Sequence, residues 1–183
     1  MNTHPGEPVT TSAGDSATTA RITSVIPHRP PALLVDRVVT VEPGRRLVAH
    51  RTADTTGPGF HPGPGDGDRP PGLPLGALLE SWAQSAVLLA CWERPNPDVL
   101  AGDVALLAGV RDVRVLAPVP PGSLLVHEVR MVRDLGSTVL TTGTTTVGDR
   151  TVLEVGQLTL ALRPAEVLDP AAGTTATTTD ERS

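Results

Sequence analysis

The hydrophobic residues of the chain are most concentrated in one run, which predicts a single long buried helix. The run from Pro74 to Glu93 reads PLGALLESWAQSAVLLACWE, and its apolar side chains cover nearly the whole helical circumference. A helix that is apolar on all sides is buried on all sides, so the rest of the chain must enclose it. Proline suits the first turn of such a helix, and Pro95 and Pro97 end it.

Runs of branched residues on both sides of this helix predict an antiparallel sheet. The predicted strands are 32–41 and 46–52 before the helix, and 104–119, 123–133, 137–147 and 150–162 after it. Short Gly-containing turns separate the last four, which favours antiparallel neighbours. The predicted fold class is therefore α+β, with an antiparallel sheet wrapped around one long central helix.

Three segments lack the hydrophobic runs that are typical of a helix or a strand. Residues 1–20 and 164–183 are rich in Thr, Ala and Gly and are typical of disordered tails, which leaves one domain at 21–163. Residues 54–72 form a long Gly/Pro loop between the second strand and the helix. A loop of this length inside a compact domain usually has a function or moves.

Composition and charge then narrow the classes of function. The 183 residues are 39% hydrophobic, which suffices for one packed domain. Only 2% are aromatic and the net charge is −5, so neither base stacking nor phosphate binding to a nucleic acid is expected. The chain has one cysteine, no signal-peptide pattern and no membrane-spanning run. We therefore expect a cytoplasmic protein without nucleic-acid or membrane partners.

Two polar residues interrupt the apolar helix. Glu80 and Gln84 are four residues apart and so share one face of the helix. They are either the one exposed stripe of the helix or a functional pair where the helix meets a cleft. In the second case, desolvation would raise the pKa of the Glu80 carboxyl and let it act as an acid near neutral pH.

A histidine and a helix start lie close to this pair along the chain. His61 belongs to the Gly/Pro loop, in Gly59-Phe60-His61-Pro62-Gly63, and histidine is the usual base at neutral pH. A lone loop histidine is more often incidental, but this loop leads into the helix that carries Glu80. The free N–H groups at the helix start could polarise a carbonyl group, or they could be capped by water or by the loop.

The other histidines receive no chemical role. His28 stands between prolines in Ile26-Pro27-His28-Arg29-Pro30-Pro31, where a structural role is expected. His50 and His127 fall inside predicted strands. No two histidines have the spacing of metal ligands, so no metal site is predicted.

Three motifs together resemble the FabZ-type β-hydroxyacyl-acyl-carrier-protein dehydratases of the hotdog superfamily. IPHRPPALLVDRV is similar to that family's Pro-His-Arg…Leu-Leu-Val-Asp-Arg segment, and LPLGALLESWAQSA to its Met-Pro-Gly…Glu-Ala-x-Ala-Gln helix. VRVLAPVPPGSLL resembles its Arg-x-Pro-Val-x-Pro-Gly-Asp-x-Leu strand and turn. The resemblance covers about 21–163 and implies a hotdog fold.

The resemblance also implies an activity and a set of site residues. A hydro-lyase would dehydrate 3-hydroxyacyl thioesters on an acyl carrier protein to 2-enoyl thioesters, in fatty-acid or polyketide biosynthesis. The implied catalytic residues are His61 and Glu80, from opposite subunits of a dimer, and the implied substrate-binding residues are Gly76 and Gln84. The substrate would arrive on a phosphopantetheine arm, with no metal or other cofactor, and the second subunit would be an identical or related hotdog chain.

One departure from the family pattern keeps two alternatives open. The family loop reads Gly-His-Phe-Pro-Gly, whereas in this chain Phe60 and His61 have traded places and the loop to Glu80 is longer. In an extended segment, a shift of one residue turns a side chain to the opposite face. The chain could therefore be a non-catalytic hotdog partner subunit of a heterodimeric dehydratase. A hotdog acyl thioesterase, in which the helix carboxylate drives hydrolysis, is the other alternative.

Overall fold

Six strands form one antiparallel sheet in the computed structural model of the protein, which describes residues 18–54 and 72–168. The strands are β1 (Arg37–Glu42), β2 (Arg46–Thr52), β3 (Asp103–Val115), β4 (Leu124–Asp134), β5 (Thr138–Val147) and β6 (Arg150–Pro164). Their order across the sheet is β1-β2-β4-β5-β6-β3. The helices are α1 (Thr19–Val25), α2 (Leu75–Cys91) and a 3-10 turn (Ala165–Leu168).

Helix α2 is enclosed by this sheet, as its sequence predicts. Every residue from Ser81 to Cys91 is buried, and the helix packs mainly on β2 and β4. Trp82, Leu88, Leu125 and Leu158 are among the large side chains that are completely buried in the core. The predicted α+β architecture, a sheet around one central helix, is confirmed.

Gly143 lies where β5 has an irregular register against β6. A Cβ atom at Gly143 would overlap the carbonyl oxygen of Glu128 and would crowd the Trp82 ring. The Trp82 indole N–H donates a hydrogen bond to that same Glu128 carbonyl, at 3.2 Å. Glycine is therefore required here because the backbone of the neighbouring strand β4, with the Trp82 ring of the helix behind it, leaves no room for a side chain.

Several details differ from the sequence predictions. Helix α1 lies partly within the predicted N-terminal tail. Only Ile22 and Val25 of this helix are buried, so its apolar residues are too few to produce a periodic pattern in the sequence. The 3-10 turn extends the domain beyond residue 164. Strand β1 begins at Arg37 rather than at residue 32, and β3 ends at Val115 rather than at residue 119. The remaining tail residues, 1–17 and 169–183, lie outside the described part of the chain.

Candidate functional site

The candidate site is built around Glu80, on the face of α2 that looks towards the segment before β1. The Glu80 side chain is 49% exposed, whereas Gln84, one turn further along the helix, is 1% exposed. The Gln84 amide nitrogen donates to Glu80 Oε1 at 2.9 Å and to the Ala32 carbonyl at 2.8 Å. The Gln84 oxygen accepts from the Leu34 backbone N–H at 2.8 Å. Gln84 therefore joins the carboxyl group to residues 32–34.

His28 is the second polar group beside Glu80. Its Nε2 lies 3.8 Å from Glu80 Oε1, and its side chain is 30% exposed. Burial is the main cause that lowers the pKa of His28, and the charge of Arg29 adds to it, while Glu80 opposes the shift. His28 is therefore neutral at neutral pH.

A buried histidine network supports the helix at Ser81, the residue that follows Glu80. His127 on β4 is completely buried, with Nε2 2.8 Å from Ser81 Oγ and Nδ1 2.8 Å from Thr145 Oγ1. Burial, reinforced by the charge of Arg51, lowers the pKa of His127 to about 3. The imidazole is therefore uncharged, and it fixes the residue next to Glu80 without reaching solvent.

The start of α2 is held by a buried arginine. Arg51 on β2 donates from Nη1 to the Ala77 carbonyl at 2.7 Å. Gly76 lies in the exposed first turn, where backbone N–H groups have no acceptor within the helix. Gly76 and Glu80 are one turn apart on the same face, so an N–H donor and a carboxyl group are separated by about 6 Å along the helix axis.

A small cavity of about 70 Å³ lies beyond His28, between α2 and the start of β3. Its lining is mainly apolar and includes Val87, Cys91, Val104 and Leu106. Burial raises the pKa of the Cys91 thiol to about 11, so this cysteine is a lining group rather than a nucleophile. Within residues 18–54 and 72–168, no three His, Cys, Asp or Glu side chains could together hold a metal ion.

The predicted site residues have different outcomes. Glu80 and Gln84 do share a face, and the Glu80 side chain is 49% exposed in the described part of the chain, so its predicted role as an acid stays a prediction. A shared exposed stripe is wrong, because Gln84 is buried. His61 lies outside the described residues, so its predicted role stays a prediction. The same holds for substrate binding by Gly76 and Gln84.

Comparison with known proteins places this chain in a family. No protein-family model matches the chain. A relative from Anaeromyxobacter dehalogenans (strain 2CP-1), named 3-hydroxyacyl-[acyl-carrier-protein] dehydratase FabZ, is 38% identical over 133 residues, which is 73% of this chain and 83% of that protein. A relative of the same name from Symbiobacterium thermophilum is 38% identical over 150 residues, covering 80% and 98%. The chain belongs to the FabZ family.

Solved structures agree with the FabZ assignment at the level of the fold. A chain of the dehydratase heterocomplex ApeI:P from Xenorhabdus doucetiae superposes with a TM-score of 0.64 at 18% identity, covering 78% of this chain and 90% of that one. A homologue of HP0420 from Helicobacter felis gives 0.57 at 10% identity, covering 78% and 98%. The predicted hotdog fold is confirmed.

Sequence reasoning missed two polar groups of this FabZ-family site. His127 alternates in phase with Leu125 and Val129, so the two-residue period of β4 already places it on the buried face. His28 had no such signal, because it lies in an irregular proline-rich segment whose position depends on tertiary contacts.

None of the described helices is long and apolar enough to span a membrane.

Proposed function

We propose that this chain dehydrates 3-hydroxyacyl thioesters carried on an acyl carrier protein and releases the 2-enoyl thioester. Membership of the FabZ family carries the proposal and confirms the predicted class of enzyme, a hydro-lyase of fatty-acid biosynthesis. The fixed carboxyl of Glu80 is the structural observation that agrees with it. A role in polyketide biosynthesis stays a prediction.

The proposed reaction needs one acid and one base. His61 takes the proton from C2 of the substrate, and Glu80 in its protonated form gives a proton to the leaving 3-hydroxyl group. The C3–O bond breaks, a C2–C3 double bond forms and water leaves. Backbone N–H groups near Gly76 donate hydrogen bonds to the thioester oxygen, on which negative charge develops. Elimination by this route uses no redox cofactor or metal.

Gln84 acts in this proposal by holding Glu80 rather than by touching the substrate. All its side-chain hydrogen bonds among the described residues go to Glu80, Ala32 and Leu34, and it has almost no exposed surface. A carboxyl group fixed in this way keeps its geometry through the reaction, which lowers the entropic cost of reaching the transition state. The cavity beyond His28 offers an apolar surface for the acyl chain.

We propose that the active form is a dimer joined along β3. This strand is 13 residues long and pairs only with β6 in the described sheet, so its other edge is open. Leu107 and Val115 on it are exposed, at 57% and 47%. Long apolar edges of this kind invite pairing with another chain. A partner subunit would cover the exposed Glu80 and bring its own loop histidine to it.

The identity of the second subunit separates the proposal from its main alternative. The ApeI:P structure is of a dehydratase heterocomplex. The exchange of Phe60 and His61 is the feature of this chain that favours a similar arrangement, in which this chain lends Glu80 to a related subunit with the usual loop order. We also propose that the chain binds an acyl carrier protein, which delivers the substrate, and that it is located in the cytoplasm.

The deciding experiment incubates the purified chain with a 3-hydroxyacyl group on an acyl carrier protein and follows the enoyl product by mass. The wild type should form it, whereas E80Q, which keeps the size and hydrogen bonding of the side chain, should lose at least a hundredfold in rate. H61A should lose a similar factor if His61 is the base. Activity that appears only after a related hotdog chain is added would favour the partner-subunit alternative. Release of free thiol without water loss would instead indicate a thioesterase.

A further inference from the structure

His28 is held in place on both sides, which sets it apart from an ordinary surface histidine. The Arg29 guanidinium donates to the carbonyl groups of Ile26, His28 and Pro97, at 2.8, 2.9 and 3.3 Å. After His28, the chain is fastened through residues 32–34 to Gln84. The imidazole therefore faces Glu80 because its backbone is fixed there, and not through chance rotation of a long side chain.

The surroundings of His28 select one tautomer of the neutral ring. Its Nδ1 is buried without a hydrogen-bond partner among the described residues. A buried N–H without an acceptor costs more than a buried lone pair without a donor, and orphaned N–H groups are correspondingly rarer in proteins. The proton therefore belongs on Nε2, the nitrogen that faces Glu80 Oε1 at 3.8 Å.

Two N–H donors then face the same oxygen of Glu80. The Gln84 amide already donates to Oε1 at 2.9 Å, and His28 Nε2 approaches that atom as well. An oxygen that receives two donors is the carbonyl oxygen of a protonated carboxyl group, so the acidic proton resides on Oε2. The present separation is longer than a hydrogen bond, but such contacts often tighten only when substrate binds.

We propose that His28 is a positioning residue that, together with Gln84, directs the acidic proton of Glu80 to Oε2 and stabilises the carboxylate left after proton transfer. Hydrogen bonds to a charged carboxylate are stronger than those to a neutral acid, so the contribution of His28 grows as the proton leaves. This inference rests on the proposed function, because it assigns His28 a role through the catalytic acid Glu80.

Paired substitutions separate this role from simple packing. H28Q keeps an N–H donor of comparable reach but cannot titrate, whereas H28L keeps apolar bulk without the donor. We expect H28L to lower kcat ten- to a hundredfold with KM nearly unchanged, and H28Q to restore most of the rate. H50L and H50Q, at a half-buried histidine that contacts Arg37 instead of Glu80, are the matched controls and should stay near wild type.

The kinetic outcomes decide the inference only if the variants are folded. Melting temperatures of all variants should therefore be compared, and H28A, which also lacks a side-chain donor, replaces H28L if the leucine variant does not fold. A folded H28L with wild-type kcat would overturn the proposal. So would an H28Q variant as slow as H28L, since that result would assign His28 a proton-transfer role instead.

A second measurement does not depend on activity. Long-range proton–nitrogen NMR spectra of the wild type, with the His28 signals assigned by their loss in H28Q, should show the Nε2–H tautomer at neutral pH. The Nδ1–H tautomer would overturn the inference even if the enzyme were active. If the wild type does not dehydrate the thioester, the proposed function fails, and the NMR result still decides whether His28 presents a donor to Glu80.

Discussion

Replacement of Gln84 by methionine tests the support of the candidate acid most directly. Methionine has nearly the shape of glutamine but can make none of its three hydrogen bonds, to Glu80, Ala32 and Leu34. The Leu34 N–H and the Ala32 carbonyl would then lose their side-chain partner. A polar group left unpaired in the interior costs about 1–3 kcal/mol. Leu34 is half-buried whereas Ala32 is exposed, so water can reach the freed Ala32 carbonyl, and Q84M should lose about 1–3 kcal/mol of the free energy of unfolding.

This loss can be measured by thermal unfolding alongside the dehydration assay. For a domain of this size, about 1 kcal/mol corresponds to about 2–4 °C, so the Tm of Q84M should fall by about 2–12 °C. Its kcat at a temperature where it is folded should fall at least about tenfold, because Glu80 Oε1 is no longer held. Q157M is the matched control, since among the described residues the Gln157 side chain donates only to the Thr159 hydroxyl, at 3.1 Å. An unchanged Tm, or full kcat in the folded variant, would refute the reasoning.

Two further predictions concern the groups behind the site. The free energy of unfolding should decrease as the pH falls from 6.5 towards 3, by up to about 1.4 kcal/mol per pH unit, because the unfolded state protonates His127 and the folded state excludes that proton. Urea unfolding of the wild type and H127Q across this range checks it, and an equal slope in both would contradict it. The free energy of unfolding of G143A should be about 1–3 kcal/mol lower than that of the wild type, because the added methyl group overlaps Glu128 and crowds Trp82. G109A is the control and should keep the wild-type stability, since no atom lies close to its added Cβ.

The sequence was sufficient to predict the architecture because its signals are local. An all-round apolar helix, short turns between branched runs and a helical spacing of four between Glu80 and Gln84 all act within one element. The burial of Gln84 was not predictable in this way. It depends on residues 32–34, which are separated from α2 by two strands and come to it only through the fold.

The same distinction explains the two histidines that sequence reasoning left without a role. His127 carries a local signal, because it has the phase of its buried neighbours in β4. The signal was available, but polar residues in strands are usually assigned to the exposed face. His28 has no such local signal, because the proline-rich segment around it has no hydrophobic periodicity. Only tertiary contacts bring its ring to Glu80.

The polar residues of α2 show how a fully enclosed helix can still present a reactive group. Ser81 and Ser85 are completely buried and have hydrogen bonds to His127 and to the helix backbone, and Trp82 has one to the Glu128 carbonyl. Between Leu78 and Cys91 only Glu80 is classed as exposed. Buried polar groups are costly unless they are paired. Because these buried polar side chains of α2 are hydrogen-bonded, the helix is rigid as well as stable. A carboxyl group on such a support keeps its position while it exchanges a proton, which a flexible surface glutamate cannot do.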